Sequence, residues 1–184
     1  MPDPEFLLLG DALWLDFVNT AVTPPGPQDL IPDAAAYHRW TKALKLASDG
    51  DRGRLPEILR VRDRLLALAR ALDAERQPPA SAIQTINRIL AGTEGSEQLV
   101  RVNGAWRTHF RARRPPAALD AIVASAAATL ADPLARVRRC AGEDCLLYFC
   151  DQSPAQSRTW CSFARCGRRM RLERRRGGRI VPVV

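Results

Sequence analysis

Apolar residues recur at helical spacing through most of the first 131 residues, and this pattern predicts a helical N-terminal region. Residues 11–22 form an apolar run without Gly or Pro, and its length favours a helix over a strand. The segment 24–27 is a Pro- and Gly-rich loop. A second helix is predicted from Asp33, a typical N-cap, to about Ser48.

The clearest helical pattern begins at Pro56 and ends near Glu75. Its predicted buried stripe consists of Ile58, Leu59, Leu65, Leu66, Ala69 and Leu72. Its outward-facing arginines are Arg60, Arg64 and Arg70. Ser81 is predicted to cap a shorter helix that ends at Gly92, and an Ala-rich helix follows Pro116 and ends at Ala131.

Three further elements have shorter signals. Asn103-Gly104 separates two strand-like runs, 98–102 and 105–110, which predicts a β-hairpin. A short helical stretch is predicted to end at Arg139, and the apolar run 146–149 indicates a strand. The fold class predicted from these elements is mainly α with a small β-hairpin, that is, α+β.

Charge and cysteine divide the chain near residue 135. The formal net charge is +8. Residues 136–184 contain 12 arginines and four acidic residues, whereas residues 1–135 contain 16 residues of each sign. All five cysteines also lie after residue 135. We therefore predict two domains, 1–135 and 136–184, with different physical properties.

The cysteine spacing indicates a metal site. Cys140 and Cys145 are separated by four residues, as are Cys161 and Cys166, and 15 residues lie between the pairs. Two pairs on tight turns can supply the four thiolates of tetrahedral Zn²⁺. Bound zinc would also stabilise a short tail with few large apolar residues. Four free buried thiols at this spacing are the less favoured alternative.

Cys150 is the fifth cysteine, and it repeats the four-residue spacing from Cys145. Spacing alone therefore does not exclude Cys150 as a ligand or as a redox partner of the site. Because it ends an apolar run, we favour a small core residue.

Arginines are concentrated after the second cysteine pair, where a helix is predicted to end at Gly177-Gly178. The arginines of this stretch are Arg165, Arg168, Arg169, Arg171, Arg174, Arg175 and Arg176. A dense positive face favours an anionic partner, and the phosphate backbone of DNA is the leading candidate. A solvated tail, RNA and an acidic protein are the alternatives.

The C-terminal pattern resembles the CGNR-type zinc finger. The matching positions are Cys140, Cys145, Phe149, Asp151, Ser153, Arg158, Trp160, Cys161, Cys166, Gly167 and Arg169. The sequence departs from the family at Arg168, which stands where the family has Asn. The resemblance implies a four-cysteine zinc finger of β-hairpin and helix type, with Arg158 supporting a DNA-binding face.

The N-terminal part resembles the ABATE domain, which precedes this finger in proteins described as stress-induced bacterial transcription regulators. The resemblance rests on residues 15–20, the helix containing Trp40 and the domain order. It implies a DNA-binding transcription factor whose N-terminal domain senses a ligand or a partner, or forms a homodimer.

Asp16, Asn19 and Thr20 are polar residues in an otherwise apolar segment. They are candidates for contacts with a small molecule, although structural hydrogen bonds are the favoured interpretation. The chain shows no phosphate-binding Gly loop or nucleophile–base pair, and we expect no enzymatic activity. With no apolar run of membrane-spanning length and no signal-peptide pattern, we expect a cytoplasmic protein that does not bind membranes.

Overall fold

The computed structural model describes residues 6–21, 28–47, 51, 54–113 and 116–177, with side chains to Leu172. Its elements in chain order are α1 (Leu13–Asn19), α2 (Ala34–Ala43), α3 (Leu55–Asp73), α4 (Ala80–Ala91), β1 (Gly95–Val102), β2 (Ala105–Ala112), α5 (Ala118–Ala131), β3 (Arg136–Arg139), β4 (Tyr148–Asp151), a π-helical turn (Phe163–Gly167) and α6 (Arg168–Gly177). Six helices and two antiparallel hairpins confirm the predicted α+β class. Within the described ranges, no helix is both long and apolar enough to cross a membrane.

Helix α1 is the centre of the N-terminal core. It packs against α3 and α5, and Trp14, Leu15, Phe17 and Val18 are completely buried. The Trp14 indole N–H also donates to Thr129 Oγ1 in α5, at 2.9 Å, so that the buried ring has a polar partner. The predicted helix over 11–22 is thus present but shorter than expected.

The flanking helices follow the sequence signals, except that α2 ends at Ala43 and not near Ser48. Asp33 caps α2, its side chain accepting from the Ala36 N–H at 2.7 Å. Helix α3 buries Ile58 and Leu65 as predicted, and its three predicted outward arginines are exposed. The capping role of Ser81 is wrong: α4 begins at Ala80 with Pro79 as its N-cap, which places Ser81 inside the first turn.

The two hairpins have opposite environments. In the first, β1 pairs with β2 around Asn103 and Gly104, whose positive φ values of 50° and 82° match a two-residue primed turn. Both strands are almost entirely exposed. In the second hairpin, β3 pairs with β4, and all four residues of β4 are buried.

The helical stretch predicted to end at Arg139 is wrong, since this segment forms β3. Its backbone pairs with β4, and Val137 is buried in the core of the helical domain while Arg136 and Arg138 face solvent. The partner strand lies beyond the first cysteine pair, so the local sequence holds little of the information that sets this conformation.

The N-terminal segment 6–10 joins the two cores. Phe6 and Leu8 pack in the core of the helical domain, whereas Leu7 and Leu9 pack against the cysteine cluster. The Gly10 carbonyl then accepts the N–H of Cys150 in β4, at 2.8 Å. The finger is therefore packed on the helical domain rather than attached only through the chain at residue 135.

Candidate metal centre and nucleic-acid interface

Two backbone turns present the cysteine pairs to one point. The first follows β3, where the Cys140 N–H donates to the Leu147 carbonyl at 2.8 Å and the Cys145 N–H donates to the Gly142 carbonyl at 2.9 Å. The second leads into the π-helical turn, where the Cys166 N–H donates to the Ser162 carbonyl at 2.9 Å. These hydrogen bonds fix the direction of each thiol without using side-chain packing.

The four buried sulfur atoms lie within 4.8 Å of one another. The Sγ atoms of Cys145 and Cys161 are 3.8 Å apart, as are those of Cys161 and Cys166. Four sulfurs about 2.3 Å from a tetrahedral Zn²⁺ would be about 3.8 Å from one another. The donor type, the number of donors and their separation all fit zinc, with Cys140, Cys145, Cys161 and Cys166 as the residues that would hold it.

The protonation states of the crowded thiols depend on one another. Hydrogen bonds from Cys145 and Cys161 lower the pKa of Cys140 to about 2. The hydrogen bond to Cys140 raises the pKa of Cys145 to about 11. Four sulfurs this close can all be thiolates only when a cation balances their charge, so metal binding would release protons.

The backbone around the thiols leaves little room for a side chain at Gly142. A Cβ at this position would lie 3.2 Å from Cys145 Cβ and 3.3 Å from Cys166 Sγ. The backbone N–H of Cys161 also donates to Cys140 Sγ at 3.3 Å, which helps to orient that sulfur.

Cys150 lies outside this cluster. It is buried in β4 and belongs to the core of the helical domain, with Val137 as its cross-strand partner. Burial raises the pKa of its thiol. The structure therefore supports the interpretation of Cys150 as a small core residue.

The Arg158 side chain makes its described contacts within the protein. Its guanidinium donates to the carbonyls of Trp160 and Cys161 and to Asp11, and it lies over the Phe149 ring at 4.5 Å from the centroid. These contacts clamp the start of the second cysteine pair to the N-terminal segment, and a role for Arg158 in supporting a DNA-binding face stays a prediction.

Asp151 organises the loop before this clamp. Burial raises its pKa, but hydrogen bonds from the N–H groups of Ser153 and Arg158, both at 2.9 Å, outweigh that effect and keep the pKa below its usual value. The buried carboxylate is thereby held ionised, and it also pairs with Arg138 at 3.8 Å. Sequence analysis matched this position to the finger pattern without assigning it a role.

The second cysteine pair continues directly into the basic segment. Ser162 caps the π-helical turn by accepting from the Arg165 N–H at 3.4 Å, and α6 follows without a break. The described arginine side chains of this segment are all exposed: Arg165, Arg168, Arg169 and Arg171. The side chains of Arg174, Arg175 and Arg176 lie outside the described residues, although their backbone is part of α6.

Phe163 adds an aromatic ring to this basic surface. It is 56% exposed, packs edge-on against Trp160, and lies under the Arg171 guanidinium at 5.9 Å. Sequence analysis did not select Phe163, although an aromatic residue interleaved with arginines is itself a signal for nucleic-acid contact.

The polar residues Asp16 and Asn19 of α1 and its C-cap Thr20 have partners inside the protein. Asp16 Oδ1 accepts the Gly10 N–H at 2.8 Å, and Thr20 Oγ1 accepts from Arg62 at 3.1 Å. Asn19 donates to the Tyr148 carbonyl and accepts the Tyr148 N–H, both at 2.8 Å. These contacts hold α1 to the N-terminal segment, α3 and β4, and a small-molecule role for the three residues stays a prediction.

A groove of about 750 Å³ lies elsewhere, between β2, α4 and α5. Its apolar wall includes Leu90, Phe110 and Ala121, and none of the three α1 residues lines it. Any ligand in this groove would be remote from the candidate residues of α1.

The four-cysteine finger, which packs closely on the helical domain and continues into a basic helix, is typical of a zinc-finger protein. Comparison with protein families then places the chain. Residues 11–133 match the ABATE family, described as "Putative stress-induced transcription regulator", and residues 136–177 match the CGNR zinc finger. The chain belongs to the ABATE family, as its sequence motifs suggested. No curated protein compared with the chain matches it.

Proposed function

We propose that the protein is a DNA-binding transcription regulator whose zinc-held finger places a basic helix on the phosphate backbone. The observation that carries this proposal is the continuity between the tetrahedral thiol cluster and the exposed arginines. Cys161 and Cys166 bracket Arg165, and Arg168 begins α6 immediately after the π-helical turn. Metal binding would therefore fix the start of the helix whose positive charge attracts DNA.

We propose a structural, non-catalytic role for the metal. A Zn²⁺ ion bound by four thiolates has a closed coordination shell and no position for a substrate or an activated water. The surface that remains for function is then the exposed basic and aromatic one, which suits binding rather than catalysis.

We also propose that the N-terminal domain passes its signal to the finger through α1. The two Asn19 hydrogen bonds to the Tyr148 backbone support this route, because they connect α1 directly to β4. The sensed ligand or partner would act by shifting the position of α1. The response would be a change in the binding of the finger to DNA in the cytoplasm.

The test is the salt dependence of binding by the zinc-loaded full chain to mixed-sequence duplex DNA. For each of Arg168→Ala and Arg171→Ala, the log–log slope should lose about 0.9 if that residue contacts one phosphate. Arg88→Ala, on the exposed face of α4, is the matched control and should leave the slope unchanged. Unchanged slopes for both finger variants would contradict the proposal. Tighter binding to single-stranded RNA than to duplex DNA would indicate RNA as the partner.

A further inference from the structure

The hairpin β1–β2 exposes an apolar face that no other described element covers. Cross-strand partners share a face, which places Leu99, Trp106 and Phe110 together on one side. These side chains are 69%, 67% and 45% exposed. Each strand contacts the other far more than any further element of the described chain. An isolated two-stranded hairpin is only marginally stable in water, so additional strands would stabilise it.

The outer edge of β1 is suited to pairing with another strand. Val102 and Ala105 flank the two-residue turn and close it. Because hydrogen-bonded and non-hydrogen-bonded pairs alternate along an antiparallel ladder, every second residue of β1 directs its N–H and C=O groups away from β2. The outward set includes Glu97, Leu99 and Arg101, whose side chains are exposed. The edge carries no Pro and no Lys, two residues that often prevent strand addition.

The charges on this edge complement a second copy of the same edge. In an antiparallel pair centred on Leu99, Glu97 of one copy lies opposite Arg101 of the other, and the reverse pair forms across the two-fold axis. The Arg101 Nε–H meanwhile donates to the Gly104 carbonyl at 3.3 Å, which holds the side chain beside the turn. The β2 edge lacks this charge complementarity, because Trp106 would face Phe110 in the equivalent pairing about Thr108.

We propose that two copies of this chain associate through β1 edges, forming a four-stranded sheet in the order β2-β1-β1-β2. All three apolar side chains of each copy then lie on one face of the sheet, and Leu99 contacts its counterpart at the two-fold axis. The pairing would place two fingers in one symmetric assembly. Because a single strand pair is a small interface, we expect a micromolar dissociation constant.

Charge exchange provides the decisive test, carried out on the zinc-loaded full chain without DNA by sedimentation at micromolar concentrations. Glu97→Arg and Arg101→Glu should each weaken dimerisation about tenfold or more, because like charges then face one another. The double variant Glu97→Arg/Arg101→Glu should restore the dimer, since opposite charges again meet across the axis. Arg107→Glu on β2 should leave the dimer intact.

A crosslink tests the register independently. Leu99→Cys should form an intermolecular disulfide on mild oxidation, because hydrogen-bonded partners across the axis have Cα atoms about 5.5 Å apart. Thr108→Cys, on the strand farther from the axis, should not, and the native cysteines are buried. A monomer throughout the micromolar range, or a dimer that is indifferent to the charge exchange, would overturn the proposal. Either result would leave the proposed DNA binding to be judged by its own test.

Discussion

The two cores of the molecule are filled by different means. The core of the helical domain consists of large apolar side chains, among them Trp14, Phe17 and Trp40, contributed by several helices. In the finger, four of the six buried core residues are the clustered cysteines, the other two are Leu147 and Phe149, and partly buried Leu7, Leu9 and Trp160 pack against them. The first core can be stabilised by burial alone, whereas the second would need a bound metal to join its parts. The comparison predicts that the two regions fail separately.

The largest effect should follow loss of one thiol. Cys161→Ser removes one of four ligands, and the finger should lose most of the zinc-binding free energy, which is about 10–16 kcal/mol in small zinc domains. The helices of the N-terminal domain should survive, because their core contains none of the four clustered cysteines. Zinc content and far-ultraviolet circular dichroism measure the two effects.

Cys150→Ala is the matched control for this experiment. It removes a buried thiol from the same chain but from the core of the helical domain, so zinc content should remain unchanged. Loss of zinc in Cys150→Ala, or retention of zinc in Cys161→Ser, would break the distinction between the cores.

The next effect tests the connection between the cores. Asn19→Ala leaves the buried N–H and C=O of Tyr148 without their side-chain partner, which should reduce the unfolding free energy by about 2–4 kcal/mol. Zinc should also be released faster to a chelator, because β4 loses its attachment to α1. Denaturant unfolding and chelator kinetics measure these changes, and the exposed Asn87→Ala in α4 should show neither.

Arg158 distinguishes a clamp from a DNA contact. Arg158→Ala should lower stability by about 1–3 kcal/mol because two carbonyls lose a charged donor. The salt slope for DNA binding by the zinc-loaded variant should stay as in the unmodified protein. Thermal unfolding and salt titration measure the two properties. A reduced slope with full stability would show instead that Arg158 contacts DNA.

The smallest effect concerns the pH dependence of the N-terminal attachment. Burial raises the pKa of Asp16 to about 7 in the folded chain, well above the value near 4 expected after unfolding. Ionisation therefore favours the unfolded state, and this contribution to stability is present at low pH and lost as pH rises through about 7. Asp16→Asn keeps an acceptor for the Gly10 N–H and removes the ionisation.

The advantage of Asp16→Asn over the unmodified protein should accordingly grow between pH 5.5 and 8 in urea unfolding. Asp63→Asn, at an exposed position of α3, serves as the surface control. A constant difference over this range would show that Asp16 ionises as readily in the fold as in the unfolded chain.

The sequence predicted those features that depend on nearby residues. Asn103-Gly104 specified the first hairpin because both residues accept positive φ, and cysteine spacing located the four thiols that the structure brings together. Strand β3 was predicted as a helix because its conformation depends on pairing with β4, on the far side of the first cysteine pair. The inward turn of Arg158 likewise depends on Asp11, which is distant in the sequence.

The central claim is that a metal-held finger, rather than a merely basic tail, binds DNA. The most direct measurement compares zinc-loaded full chain with Cys161→Ser for binding to mixed-sequence duplex DNA over a salt series. We predict a log–log slope of about −4 or steeper for the zinc-loaded chain and a much shallower slope for the variant. Equal slopes and affinities for the two proteins would contradict the claim, because arginine content alone would then account for binding.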